Sequence, residues 1–150
     1  MPEITSPARM AHLERLIQFV ARHAETAHFP TQRIREIELA VEEILVNIFS
    51  YAYPDTTGDV SLTCRVEDDL RLVLEISDTG TPFNILNVPA PNVAAGIYER
   101  QVGGLGVFFV KKMADEAHYR RDGDRNILML IFGRHRHGAE GQEHAGGVQE

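Results

Sequence analysis

Three short stretches of the sequence carry residue types that could do chemistry. The first runs from Glu43 to Asn47, the second from Asp78 to Phe83 and the third from Gly103 to Gly106. In this order they supply a carboxylate with a carboxamide, an acid followed by a turn, and a run of glycines. These are the parts that a site for Mg-ATP needs.

Glu43 and Asn47 are four residues apart in a predicted helix, so their side chains share one face. That face is offset from the apolar stripe of the same helix. An ionised carboxylate can act as a general base, and an amide oxygen is a suitable ligand for Mg²⁺ that is held mainly by phosphates. Taken alone, the spacing fits a solvated helix face with an incidental Asn at least as well.

Asp78 ends an apolar predicted strand and is followed by Thr79-Gly80-Thr81-Pro82-Phe83. An acid in this place can accept a hydrogen bond from an exocyclic amine, and Gly80 lets a flat base approach the backbone. Phe83, at the end of the motif, is predicted to be a further nucleotide contact. By itself the pattern also fits an ordinary Asp-x-Gly turn.

Gly103-Gly104-Leu105-Gly106 precedes an apolar run that begins at Val107 and is predicted to be helical. Backbone N–H groups at the start of a helix can face an anion such as a phosphate. Glycine hinges of a mobile loop explain the run equally well when it is taken singly. The sequence has no Walker A pattern that would compete for this role.

Hydrophobic periodicity predicts the elements that must position these residues. A helix is predicted from residue 7 to about 26 with Ser6 as its cap, and a second helix follows Thr31 as cap. Residues 79 to about 102 lack a sustained period and are predicted to be a lid, residues 84–102 above all. The remaining predictions are strands at about 59–67, 70–77, 116–121 and 126–133, a turn at Asp68-Asp69, a turn at Asp122-Gly123, and a helix from the glycines to Ala114.

Composition limits the classes of protein that fit. With 150 residues, 43% of them hydrophobic, the chain is expected to form one domain, residues 1–134, followed by a disordered tail at 135–150. A formal charge of -7 opposes binding to nucleic acid. The single Cys64 and the absence of a membrane-spanning apolar stretch predict a protein of the reducing cytoplasm that does not bind a membrane.

The order and separation of the three stretches resemble the ATP site of the GHKL superfamily, which includes gyrase B, histidine kinases and MutL. Residues 40–47, 78–83 and 103–115 are most similar to RsbW-type anti-sigma factor serine/threonine kinases, and the resemblance runs from about residue 8 to residue 134. It implies an α+β fold, a two-layer α/β sandwich of the Bergerat type. In such a fold a mixed, mostly antiparallel sheet is backed by about three helices.

Position by position, the resemblance implies a role for each residue. Glu43 would be the catalytic base and Asn47 the Mg²⁺ ligand. Asp78 would bind the adenine amino group, and Gly80 would lie beside the base. The phosphates would be held by Gly103, Gly104, Leu105 and Gly106, with Arg100 in reach of the terminal phosphate.

The chain departs from the family pattern at three places. Tyr51-Ala52-Tyr53 replaces a common His-Gly-Tyr, which we expect to leave the nucleotide site unaffected. Arg125-Asn126-Ile127 stands where a Thr near the adenine is common, and Asn126 is expected to substitute as a polar contact. The usual first strand is expected to be short or missing around Ile4-Thr5.

The resemblance implies an ATP-dependent kinase that phosphorylates a Ser or Thr of a small antagonist, an anti-anti-sigma protein of the STAS-like class. In its other state the kinase would hold a sigma factor or a comparable regulator. An alternative is a binding module in which ATP is a structural ligand. A third hypothesis, the detached catalytic half of a histidine kinase, is disfavoured because 150 residues leave no room for a dimerising hairpin with a phospho-accepting His. Whether the chain forms a homodimer stays open.

Overall fold

The computed structural model describes residues 2–67, 70–87 and 110–135. Short 3-10 turns lie at Met10–His12 and Ile85–Asn87, and residues 110–113 are helical. The longer elements are β1 (Glu3–Pro7), α1 (Leu13–Thr26), α2 (Thr31–Tyr51), β2 (Asp59–Val66), β3 (Arg71–Asp78), β4 (Glu116–Asp122) and β5 (Arg125–Gly133).

The described strands form one sheet in the order β1-β2-β3-β5-β4, and each neighbouring pair is antiparallel. The helices cover one face of this sheet, so the α+β, two-layer fold class is confirmed. The expected mixed sheet is not seen among the described strands, which contain no parallel pair. The reason is that the β4–β5 hairpin inserts with β5 beside β3, so β4, which runs in the same direction as β3, is not its neighbour.

The core lies between this sheet and the two long helices. Alternate residues of β2, β3 and β5 point to the helices, as the period of a strand requires. Fully buried examples are Leu62, Leu74 and Phe132 on the sheet, with Leu16 on α1 and Leu45 on α2. Each such side chain contributes about 1.5–3 kcal/mol to folding. Within the described ranges, no helix combines the length and the apolar character needed to cross a bilayer.

The N-terminal segment differs from its prediction. Residues up to Pro7 form β1, which pairs with β2, and α1 begins only at Leu13. Ser6 is buried opposite Val60, and its hydroxyl donates to the Pro7 carbonyl oxygen at 3.1 Å, so it does not cap a helix. The first strand is therefore present, although it is short. Pairing with a distant strand outweighs the local Ser-Pro capping signal.

The connection from α1 to α2 reverses the chain at His28. The His28 N–H donates to Glu25 O at 2.9 Å and the Phe29 N–H donates to Ala24 O at 3.0 Å, which is the pattern of a Schellman cap. His28 holds a φ of 63°, a left-handed conformation that glycine adopts more easily. Helix α2 then begins after Pro30, which is its N-cap in place of the predicted Thr31.

Arg33 ties the start of α2 to the far end of the sheet. Its side chain is only 3% exposed and stacks over the Phe132 ring at 5.3 Å. Its guanidinium donates to Gly133 O at 2.9 Å and to Met113 O at 2.8 Å, and it pairs with Glu36 at 2.8 Å. The helical residues 110–113, β5 and α2 are thereby held in one arrangement.

Candidate functional site

A cavity of about 140 Å³ lies between the last turns of α2 and the ends of β3 and β5. This volume is comparable with the roughly 150 Å³ of an apolar cavity that holds one aromatic ring. Its apolar wall is formed by Ile44, Ile48, Ala52, Ile76, Ile85 and Leu128. Its polar lining includes Asn47, Asp78, Thr81, Tyr119 and Asn126. A flat ring with one polar edge fits such a lining.

Asn47 is presented to the cavity by the penultimate turn of α2. Only 9% of it is exposed, and its Nδ2 donates to the Glu43 carbonyl oxygen at 2.8 Å, one turn earlier in the same helix. That bond orients the amide. Among the described residues no group donates to Asn47 Oδ1, so this oxygen is available to a cation or a ligand donor.

Glu43 is half-buried on the same side of α2 as Asn47. Burial raises the pKa of the Glu43 carboxyl, and the neighbouring negative charge of Glu42 raises it further. A raised pKa makes a carboxylate a better proton acceptor than a free Glu. The two side chains therefore lie on one side of the helix, as their spacing predicted, although Asn47 lines the cavity and Glu43 is not part of its lining.

Asp78 is the last residue of β3 and is 7% exposed. Its Oδ1 accepts the Gly80 N–H at 2.8 Å and Asn126 Nδ2 at 2.9 Å. These two donors fix the carboxylate, and no described group donates to its Oδ2. Asp78 thus offers one oriented acceptor at the cavity, which is what a ligand amine requires.

Gly80 has a structural reason to be glycine. A Cβ at this position would lie 2.3 Å from the Ala52 carbonyl oxygen and 2.6 Å from the Ala52 Cβ. The same carbonyl accepts the Thr81 N–H at 3.0 Å, and Arg121 donates to Gly80 O at 2.9 Å. Close packing of the turn on the end of α2 therefore requires Gly80. Its expected place beside a base stays a prediction.

Asn126 is hydrogen-bonded within the protein through both atoms of its amide. Its Nδ2 donates to Asp78 Oδ1 and to Thr81 O, each at 2.9 Å. Its Oδ1 accepts the Phe83 N–H at 3.2 Å and the Tyr119 hydroxyl at 2.6 Å. An amide has two donor hydrogens and two acceptor lone pairs, and here all four are used. Asn126 therefore holds the cavity wall together, and its expected polar contact with a nucleotide stays a prediction.

The stretch Tyr51-Ala52-Tyr53 lies at the cavity, and the expectation that its departure from His-Gly-Tyr leaves nucleotide binding unaffected stays a prediction. Tyr51 and Ala52 line the cavity. The Tyr53 hydroxyl accepts the Thr79 N–H at 2.9 Å and donates to Asp59 O at 2.6 Å. Ala52 is also in direct contact with Gly80. The residues at the end of α2 therefore support the turn that follows Asp78.

Other lining residues were not identified from the sequence. Tyr119 of β4 and Ile85 of the 3-10 turn both line the cavity, and Ile85 is 6% exposed. Tyr119 lies opposite Leu128 in the hairpin, whose two-residue turn is Gly123-Asp124, one residue later than predicted, because Asp122 pairs with Arg125. Phe83 lines the cavity and is 48% exposed, and its expected contact with a nucleotide stays a prediction.

Several predicted features lie outside the described residues. They are Arg100, the run Gly103–Gly106, the predicted lid beyond residue 87, the turn at Asp68-Asp69 and the tail beyond residue 135. The first part of the loop is described, and Ile85 anchors it in the cavity wall.

Comparison with known protein families identifies the family of this chain. The family model of the histidine kinase-like ATPase domain matches residues 6–132, which is most of the sequence. The chain belongs to this family. The match spans α2, the Asp78 turn and β5, so the cavity described above is part of a histidine kinase-like ATPase domain.

Curated relatives of this ATPase domain include serine-protein kinases. The chain is similar to the serine-protein kinase RsbW of Bacillus cereus strain AH187, with 21% identity over 134 residues that cover 87% of this chain and 83% of the relative. The serine-protein kinase RsbW of Bacillus thuringiensis subsp. konkukian strain 97-27 matches with the same identity and coverage.

Solved structures support the fold of the ATPase domain. The histidine kinase domain of the Erythrobacter litoralis EL346 blue-light activated histidine kinase aligns with a TM-score of 0.51 and 20% identity, covering 81% of this chain and 59% of that one. A second structure of that kinase gives a TM-score of 0.51 with 22% identity, covering 73% of this chain and 33% of that one. The chain thus spans less than two thirds of either structure, and the likeness concerns the fold.

Proposed function

We propose that this protein is an ATP-dependent serine/threonine protein kinase that acts as an anti-sigma-factor-type regulator. Its substrate is a small antagonist of the anti-anti-sigma, STAS-like class, and it holds a sigma factor or a comparable regulator in its other state. Residues 1–134 form the ATP-binding domain in this proposal. The observation that carries it is that Asn47 and Asp78, each oriented by protein partners, line one cavity of an ATPase-family domain and each keep one acceptor oxygen.

The cavity suits the adenine end of ATP. Asp78 Oδ2 is an acceptor for the exocyclic amine, and the apolar wall covers the faces of the ring. Asn47 Oδ1 is a hard oxygen ligand of the kind that Mg²⁺ accepts. In this proposal the phosphates of ATP and water supply the other ligands of Mg²⁺, as is usual for this ion.

Glu43 is the proposed catalytic base. Bound ATP supplies the phosphoryl group. Glu43 accepts the proton of the substrate Ser or Thr hydroxyl as that oxygen bonds to the terminal phosphorus, and the bond from phosphorus to the ADP oxygen breaks. The raised pKa of Glu43 favours this role, because proton acceptance improves as the pKa approaches the working pH.

A non-catalytic switch is the alternative function. In it ATP would be a structural ligand that selects the binding partner. One observation favours it: among the described residues, no hydrogen bond holds the Glu43 side chain in place, whereas Asn47 and Asp78 are both oriented. A catalytic base whose side chain becomes ordered only when the substrate binds would lack such a hydrogen bond as well.

The proposal is tested by incubating the protein with γ-labelled ATP and small antagonist domains from the same genome. Label on a Ser or Thr of one such domain would support the kinase and identify its substrate. Tight ATP binding without transfer to any of these domains would favour the switch. Absence of ATP binding would contradict both functions.

A further inference from the structure

The amide of Asn126 can take only one orientation at the cavity. The Phe83 N–H can only donate, so it must face Oδ1, and the Thr81 carbonyl can only accept, so it must face Nδ2. The Tyr119 hydroxyl, at 2.6 Å, reinforces Oδ1. The second Nδ2 hydrogen is then directed to Asp78 Oδ1. A Thr at this position, with a single hydroxyl, could not replace these four bonds.

We propose that Asn126 is a positioning residue that sets the base selectivity of the nucleotide site, an inference that rests on the proposed function. Asn126 acts through Asp78. Its Nδ2 and the Gly80 N–H both donate to Asp78 Oδ1. Asp78 Oδ2 is then the oxygen that can accept a hydrogen bond from a base. The same side chain also holds the segment from Thr81 to Phe83 in place. Asn126 therefore fixes both this part of the cavity wall and the orientation of the Asp78 carboxylate.

One free acceptor selects among purines. A 6-aminopurine such as adenine presents a single exocyclic amine, which one oriented oxygen can satisfy. Guanine presents N1–H and its 2-amino group side by side, which match two free carboxylate oxygens, and its 6-oxygen would oppose Oδ2 as acceptor against acceptor. The site therefore favours ATP over GTP and over a purine triphosphate without the 6-amine.

The test compares ATP with purine riboside triphosphate, in which hydrogen replaces the amine. Isothermal titration of the full chain gives the ratio of the two affinities. We expect the unaltered protein to favour ATP by roughly tenfold or more, the usual effect of one satisfied polar partner in a buried site. Asn126→Asp keeps the shape but places a carboxylate oxygen against Asp78 Oδ1 and Thr81 O, so at pH 8 the ratio should fall towards one.

The variant should also acquire a pH dependence. Two carboxylates in contact share a proton at lower pH, and the shared proton restores a donor between them. The ratio for Asn126→Asp should therefore recover between pH 8 and pH 5.5. Among the described residues, other charged or titratable groups near Asp78 are Tyr119, Arg121 and Arg125 on the hairpin, Tyr51 and Tyr53 at the end of α2, and Arg9, His12 and Asp59 in the groove behind it. These are present in both proteins, so dividing by the unaltered protein's ratio at each pH removes their contribution.

Two further variants control for folding. Asn126→Ala adds no charge, so it should lower the ratio without recovery at low pH, and it serves if Asn126→Asp fails to fold. Asp124→Asn changes an exposed residue of the same hairpin that does not line the cavity, so the ratio should stay within about twofold of the unaltered protein.

The outcomes separate this inference from the proposed function. If both Asn126 variants weaken ATP and the analogue equally, Asn126 is merely structural and the inference is wrong, while the ATP site stands. The same conclusion follows if the unaltered protein binds ATP and the analogue equally. If the unaltered protein binds neither nucleotide, the proposed function itself fails.

Discussion

Asp78→Asn should weaken ATP binding in a protein that still folds. The new amide can keep its oxygen toward Gly80 N–H and Asn126 Nδ2, at the present 2.8 and 2.9 Å, so the wall of the cavity should persist. Its NH₂ group then replaces Oδ2 and meets the adenine amine donor against donor. An unsatisfied buried donor costs about 1–3 kcal/mol, which corresponds to roughly 5- to 150-fold weaker binding.

The two remaining hydrogen bonds of this variant lose their charge. Bonds to charged groups contribute about 1.5–3 kcal/mol and neutral bonds about 0.5–1.5 kcal/mol, so stability should fall by about 1–3 kcal/mol. Calorimetry with ATP and denaturant unfolding measure the two effects separately. Asp55→Asn, at an exposed position, is the matched control and should change neither. Unchanged ATP affinity in folded Asp78→Asn would refute the assignment of Asp78 to the base.

Three further predictions concern stability and reactivity. Arg33→Met should lower the free energy of unfolding by about 2–4 kcal/mol, because Gly133 O and Met113 O lose a buried cationic donor; denaturant unfolding should show almost no change for the exposed control Arg35→Met. His28→Gly should raise stability by about 0.5–1 kcal/mol, because it relieves the left-handed φ of 63°, and an unchanged or lower melting temperature would argue against this strain. Cys64 is fully buried and burial raises its pKa to about 12, so iodoacetamide at pH 8 should modify it only as the protein unfolds, and rapid labelling of the native protein would contradict its burial.

The helices and most strands could be predicted because their signals are local. The apolar positions of α2 recur at helical spacing, and β5 carries a nearly continuous apolar run. The start of α1 could not be predicted in this way. Ser6-Pro7 has the composition of a helix cap, but pairing of β1 with β2, more than fifty residues away, decides its conformation.

In the candidate site, too, the residues set by local structure could be predicted and those set by tertiary contacts could not. Glu43 and Asn47 were predictable because a helix places residues four apart on one face. The role of Asn126 was not predictable, because it depends on four partners contributed by other parts of the fold. The reason for Gly80 is likewise a tertiary contact, with Ala52, that no local pattern in the sequence reveals.

The most direct test of the kinase proposal is single-turnover phosphoryl transfer by Glu43→Gln, measured in parallel with ATP affinity. Glutamine keeps the size of the side chain but cannot accept the proton. ATP binding should survive, and transfer to the antagonist should fall by about 10²–10⁴, the usual contribution of a general base. In the unaltered protein transfer should decline as the pH falls through the pKa of Glu43, which lies above the ordinary 4.5. Normal transfer by Glu43→Gln would contradict the assignment of Glu43 as the base, and no transfer by the unaltered protein to any cognate antagonist would contradict the kinase.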